Sequence, residues 1–168
     1  AGAMPLRVCA LGGSIATPEQ GIEAEVIEVR TFEQLQALGE KARGKIVFFN
    51  RPMPRALRRT GQAYGEAVPQ RSNGAIEAGK VGAIGAIVRS MTTTIDGYPH
   101  TGAMHYDEAV TKVPSAAVAT EDAEALAAQL KNGPVRVHLV LGCETHPDVP
   151  GPTWSATCAA VSILKRLS

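Results

Sequence analysis

Apolar positions along this chain fall into two rhythms. "RVCAL" (7–11) alternates weakly and stops at "GGS", which predicts a short strand. "IEAEVIEVR" (22–30) is rich in β-branched residues and predicts a second strand. The period then lengthens. Phe32, Leu35 and Leu38 recur at helical spacing behind Thr31, and Gln34 completes a capping box with that threonine. Gly44 ends the helix, and "KIVFFN" (45–50) is a continuous apolar run, the pattern of a strand covered on both faces.

The next stretch, "RPMPRALRRTGQAYGEAVPQR" (51–71), has neither rhythm. Pro52, Pro54 and Pro69 forbid a long regular element, so a surface excursion with at most one short helical turn is expected. "SNGAIEAGKVG" (72–82) opens on two N-cap residue types and predicts a short helix, and "AIGAIVRS" (83–90) a strand. Residues 91–113 show no period and contain turn signals at Asp96-Gly97 and Pro99; loops of this length are usually functional or mobile. "PSAAVAT" (114–120) predicts a strand, and Thr120 a cap on the helix that follows. That helix carries acids in its first turn, Lys131 in its last, and the apolar stripe Ala123, Leu126, Ala127 and Leu130. "VRVHLVLGCE" (135–144) alternates, placing Val135, Val137, Leu139 and Leu141 inward and His138 toward solvent. Prolines make 145–153 a linker, and 154–168 is expected to be an appended amphipathic helix outside the core.

Composition narrows the picture. The 168 residues suit one domain plus an appendage, and 45% hydrophobic with 20% charged residues fits a globular chain. Aromatics are only 4%, so aliphatic side chains must make the core. A net charge of +1 gives no general electrostatic case for nucleic acid or an anionic membrane as partner. No apolar run approaches the ~20 residues of a membrane helix, and the opening "AGAMPLRV" lacks the features of a signal peptide. Of the cysteines Cys9, Cys143 and Cys158, the pair Cys9–Cys143 is the best disulfide candidate, with buried thiols as the alternative.

Gly79, Gly82 and Gly85 invite comparison with a phosphate-binding loop. Such a loop runs strand, glycine turn, helix, so that helix N–H groups face the anion. Here the helix comes first. Gly82 is expected to stop it with a left-handed backbone, turning carbonyl oxygens toward the bend, while Gly79 and Gly85 allow close packing. Ser14 lacks the frame of a nucleophile elbow. His100 and His105, with Asp107 nearby, share the 91–113 loop and are the candidates for a metal-binding or hydrolytic site.

Three linked stretches carry a family likeness: "GKIVFFNRP" (44–52), "NGAIEAGKVGAIGAIVRS" (73–90) and "VPSAAVATEDAEALAAQL" (113–130). They resemble the protease-associated (PA) domain. With "ALGGSIATP" (10–18), "YGEAVPQRSNGA" (64–75) and "RSMTTTIDGYPHTGAMHYD" (89–107), they are similar to the PA insert of M28 metallopeptidases of the carboxypeptidase Q type. The resemblance implies an α+β swivelling β/β/α fold, a curved and partly closed sheet with two or three helices, over residues 5–146, with 147–168 as linker and atypical tail. It implies a module without catalytic residues or metal ligands of its own, since in that family the zinc ions belong to a separate peptidase domain. Its partners would be that domain and a peptide substrate, with homo-oligomerisation (through 154–168) open, and the parent enzymes' setting would be secreted or periplasmic. The candidate contact residues are Arg51, Arg71 and Arg89, as carboxylate clamps, with Thr93, His100, Thr101, His105 and Tyr106 on the long loop. The alternative is a small stand-alone metal-binding protein or hydrolase using that loop.

Overall fold

The structure is a computed structural model that describes residues 4–54, 60–143 and 160–164. Seven strands form a closed barrel: β1 (Met4–Ala10), β2 (Ile22–Val29), β3 (Ile46–Phe49), β4 (Gly85–Arg89), β5 (Ser115–Val118), β6 (Arg136–Val140) and β7 (Ala160–Leu164). Around the barrel the order is β1-β5-β4-β3-β2-β6-β7, with β2, β3, β4 and β5 mutually parallel and the remaining pairings antiparallel. The curved sheet and α+β class expected from the sequence are present. The barrel is closed by β7, which pairs with both β1 and β6. The expectation of a helical appendage is therefore corrected for residues 160–164. The short run "AVSIL" is ambiguous by local pattern, and the two open strand edges of β1 and β6 decide it.

Alternation along each strand sorts the side chains into two layers. Leu6, Val8, Val26, Phe48, Ile87, Val118, Val137, Leu139 and Ile163 form the inner cluster. Val29, Val47, Phe49, Ala86, Val88 and Ala117 form the outer one. The outer layer is covered by α1 (Phe32–Leu38), which supplies Leu35, and α4 (Gly74–Lys80), which supplies Ala75 and Ala78. Helix α5 (Thr120–Lys131) packs Ala123, Leu126 and Ala127 against the inner cluster. Strands β3, β4 and β5 are buried along their whole length, as parallel strands covered on both sides must be.

Local signals are mostly realised. Thr31 Oγ1 accepts the N–H of Gln34 at 3.2 Å, and Gln34 Oε1 accepts the N–H of Arg30 at 2.7 Å. The helix is shorter than expected: Gly39 ends α1 with φ 48°, and a 3-10 turn (Gly39–Ala42) follows. Gly82 has φ 71° after α4, and the N–H groups of Gly82 and Ala83 return to the carbonyls of Gly79 and Ala78, both at 3.0 Å. The carbonyl of Gly82 in turn accepts the N–H of Gly44 at 2.9 Å. The bend thus satisfies its helix-end oxygens internally. Gly79 and Gly85 are tight contacts: a Cβ at Gly79 would collide with the carbonyl oxygen of Thr111, and one at Gly85 would lie 2.7 Å from Ile22 Cδ1.

Three further expectations are corrected. The 51–71 excursion holds α2 (Thr60–Ala67) and α3 (Pro69–Ser72), because Pro69 sits in the first turn of α3, where its missing N–H costs nothing. Thr120 does not cap α5; Ala119 occupies the N-cap and the Thr120 hydroxyl faces the long loop. Cys9 and Cys143 are not joined. Cys9 alternates with the inner residues Val8 and Ala10 on β1, whereas Cys143 packs against the inner cluster, so the two side chains leave opposite faces of the wall. Burial raises the Cys143 thiol pKa, partly offset by Ser14, which leaves little thiolate. Cys158 and the 145–153 linker lie outside the described residues.

Candidate functional site

The long loop, residues 91–113, is irregular and heavily tied down. Thr120 Oγ1 accepts the N–H of Asp96 at 2.8 Å, and its hydroxyl lies 3.1 Å from the carbonyls of Thr94 and Asp96. The N–H of Glu121 closes on the Asp96 carbonyl at 3.1 Å. Farther along, the N–H of His100 reaches Ser90 Oγ at 2.8 Å, and Thr101 Oγ1 donates to the Ala10 carbonyl at 2.8 Å. Gly12 brackets the next turn, taking the N–H of Met104 at 2.9 Å and giving its own N–H to Gly102 at 3.0 Å. Tyr106 is the last anchor: its hydroxyl donates to the Val113 carbonyl at 2.7 Å and accepts the N–H of Ile15 at 3.0 Å. Burial raises the Tyr106 pKa, so the phenol stays a donor. The tip is left outward, with Tyr98 75% and Ile95 44% exposed.

Behind the tip lies an ionic knot. Asp122 accepts from Arg7 three times: from the backbone N–H, from Nε at 3.0 Å and from Nη2 at 2.7 Å. Burial pushes the Asp122 carboxyl up, but the Arg7 hydrogen bonds and charge outweigh it and hold the pKa below the ordinary carboxylate value. Asp96 is also held low, chiefly by the N–H of Tyr98, with help from His100, whose Nε2 lies 3.2 Å from Asp96 Oδ2.

The candidate residues separate into three groups. Arg89 is not a surface clamp. Its side chain is 5% exposed, with Nη1 3.1 Å from Asn50 Oδ1 and Nη2 2.6 Å from Glu124 Oε1. Strand alternation explains this: Arg89 shares the inward parity of Ile87, and Asn50 passes the chain of bonds on to Glu28 Oε1 at 2.7 Å. Thr101 and Tyr106 are anchors of the loop. Arg51, Arg71, Thr93, His100 and His105 keep side-chain surface open to solvent, half-buried for the two arginines and exposed for the others. His100 pairs with Asp96, and among the described residues no three His, Cys, Asp or Glu side chains gather as a metal site requires.

Sequence reasoning missed a groove. Met53, Gly61, Tyr64, Met91, Thr92 and Thr93 line an open depression of about 440 Å³. It lies where the segments leaving β3 and β4 meet α2. One lining residue, Tyr64, is held by Arg71, with Nη1 2.7 Å from the Tyr64 hydroxyl and the guanidinium carbon 5.6 Å from the Tyr64 ring centre. The available signal was a pair of methionines soon after two strand ends, with a tyrosine between Gly61 and Gly65.

Comparison with known proteins bears on this geometry. No protein-family model matches the chain. Carboxypeptidase Q of Xenopus laevis is 42% identical over 144 residues, and that of Homo sapiens 38%; each alignment takes in 85% of this chain and 29% of the relative. A peptidase M28 precursor from Shewanella amazonensis SB2B superposes with a TM-score of 0.72 at 36% identity, over 83% of this chain and 36% of that one. This chain is homologous to one segment of the carboxypeptidase Q-type M28 peptidases. It spans less than a third of the length of those carboxypeptidase Q relatives.

Proposed function

We propose that this chain acts as a protease-associated module of an M28-type peptidase, without catalytic groups of its own, that meets a peptidase domain and covers or recognises a peptide substrate. The observation that carries the reading is the extent of the match: most of this chain aligns, but with a minor part of each relative. The chemistry of the loop agrees with it. Its polar groups are spent on fixing backbone, and the exposed tip formed by Ile95 and Tyr98 is a surface for contact rather than a reacting centre. Thr93, His100 and His105 are exposed polar groups of the same loop, open to that contact. The zinc of this reading belongs to the peptidase domain, and the partners are that domain and the peptide.

The test is hydrolysis of dipeptides by the pure chain with added zinc. No turnover is expected. Turnover that a chelator abolishes would place a working metal site within this chain and overturn the proposal.

A further inference from the structure

Arg7 and Arg89 both meet carboxylates of α5, but they do so differently. Arg7 uses one whole side of its guanidinium: Nε and Nη2 donate to the two oxygens of Asp122 at 3.0 and 2.7 Å. This is the full fork that a planar carboxylate matches. Arg89 fills only half of the same fork. Its Nη2 lies 2.6 Å from Glu124 Oε1, while its Nε is buried without a hydrogen-bond partner among the described residues. On the far side of the guanidinium, Nη1 donates to Asn50 Oδ1 at 3.1 Å.

The setting makes the missing bond costly. The Arg89 side chain is 5% exposed, and a buried cation needs its N–H groups satisfied. Its acid partner is poorly suited to permanence, since the Glu124 side chain is 58% exposed. A glutamate in solvent loses rotamer freedom for this single point of contact, and water screens the attraction. The opposite side of the site is fixed. Asn50 is buried, and its Nδ2 donates to Glu28 Oε1 at 2.7 Å, which keeps the amide oxygen turned toward Arg89.

Position adds an independent argument. Glu28 lies near the carboxyl end of β2, Asn50 directly follows β3, Arg89 is the last residue of β4, and Glu124 stands on α5, the helix after β5. These four groups gather at the carboxyl ends of the four parallel strands, where parallel sheets build their ligand sites. The open depression lined by Met53 and Met91 lies beyond the same ends of β3 and β4.

We propose that Arg89 and Asn50 form a receptor for a ligand carboxylate, with Glu124 as its built-in stand-in. The incoming carboxylate takes Nε and Nη2 together, as Asp122 does at Arg7, and Glu124 turns out to solvent. One guanidinium, with the Glu28 carboxylate behind Asn50, favours a singly charged anion over a phosphate dianion. This goes beyond the module reading and does not rest on it, because binding is read on the chain alone and separately from peptide turnover.

Nuclear magnetic resonance on the isotope-labelled full chain tests it through the arginine Nε–H signals, each identified by through-bond correlation within its own side chain. Chloride is replaced by acetate at a constant ionic strength of about 0.15 M. The Arg89 Nε–H should shift saturably, and the Arg7 Nε–H, whose fork Asp122 fills, should stay in place. Glu124→Gln removes the competing charge and keeps the side-chain length. It should lower the acetate dissociation constant about tenfold, the value of exchanging a charged competitor for a neutral one. An N-acetyl dipeptide with a free carboxyl end should also bind, and its amidated twin should not. Tighter binding of the dipeptide than of acetate would assign the carboxylate to a peptide end, and equal binding to a small free acid. An Arg89 Nε–H indifferent to acetate in both the wild type and Glu124→Gln would overturn the proposal. So would equal movement of the Arg7 and Arg89 signals, equal binding of the amidated twin, or a stronger response to inorganic phosphate than to acetate.

Discussion

The long loop and the 51–71 segment are both polar and glycine-containing, yet they use polarity in opposite ways. In the loop, Asp96, His100, Thr101 and Tyr106 each bond to the loop itself or to the scaffold under it, and Thr120 binds three groups of the loop at once. In the sequence of residues 51–71, arginines outnumber the single acid, and Arg51 and Arg71 hold loose or single partners. Polar groups that satisfy one another make a segment rigid. Polar groups left in excess keep it available to something else. A charged residue's type does not reveal which of the two it serves. Arg7 and Arg89 are tied into the fold, while Arg51 has one loose partner in Glu66 and Arg71 rests on Tyr64.

Substitution should separate the two regions. The largest effect is expected at Gly79, where the loop's far end lies against α4. Gly79→Ala drives a methyl group into the Thr111 carbonyl and Val110, and should cost about 1–3 kcal/mol by overpacking. A higher melting temperature, the helix-propensity gain that alanine brings at an unconstrained site, would break the comparison. An effect of similar size is expected from Asp122→Ala, which strips Arg7 of three hydrogen bonds and should cost about 1.5–3 kcal/mol in urea unfolding.

The same carboxylate sets an acid limit. Its folded pKa is depressed, so its contribution is fully present above the unfolded value of about 3.9 and is lost as pH falls through the lower folded value. Asp96 shifts in the same direction and acts in the same window. Unfolding free energy should therefore drop below about pH 4, and Asp122→Ala should flatten that drop. An unchanged pH slope would show that the ionic knot behind the loop does not form.

Smaller effects complete the contrast. Thr120→Val should cost about 1 kcal/mol and speed hydrogen exchange at the Asp96 amide, which loses its acceptor. In the 51–71 segment, Arg51→Gln and Arg71→Gln should each change stability by no more than about 0.5 kcal/mol, because neither holds the fold. A loss of more than about 1 kcal/mol at either would make that segment a scaffold like the loop.

Much of the fold was legible because its causes are local. Thr31 and Gln34 cap a helix through groups three residues apart, and Gly82 adopts a backbone that other residues resist. "IVFF" is buried on both faces because nothing polar interrupts it. The candidate site was less legible. His100 stands on the exposed loop as expected, but the groove formed by Met53, Tyr64 and Met91 unites three segments that no local pattern connects. Arg89 looks identical to a surface arginine until strand parity turns it inward toward Asn50.

By itself the sequence determined the alternation of strands and helices, the helix stop at Gly82 and the surplus of cations in residues 51–71. Backbone preference and charge are properties of a residue and its near neighbours. Only the tertiary structure decided that residues 160–164 close the barrel, that Cys9 and Cys143 leave opposite faces, and which arginines are spent on internal partners. Those outcomes depend on which strand edges remain unpaired and on which acids lie within hydrogen-bond reach. Both are fixed by contacts between residues far apart in the chain.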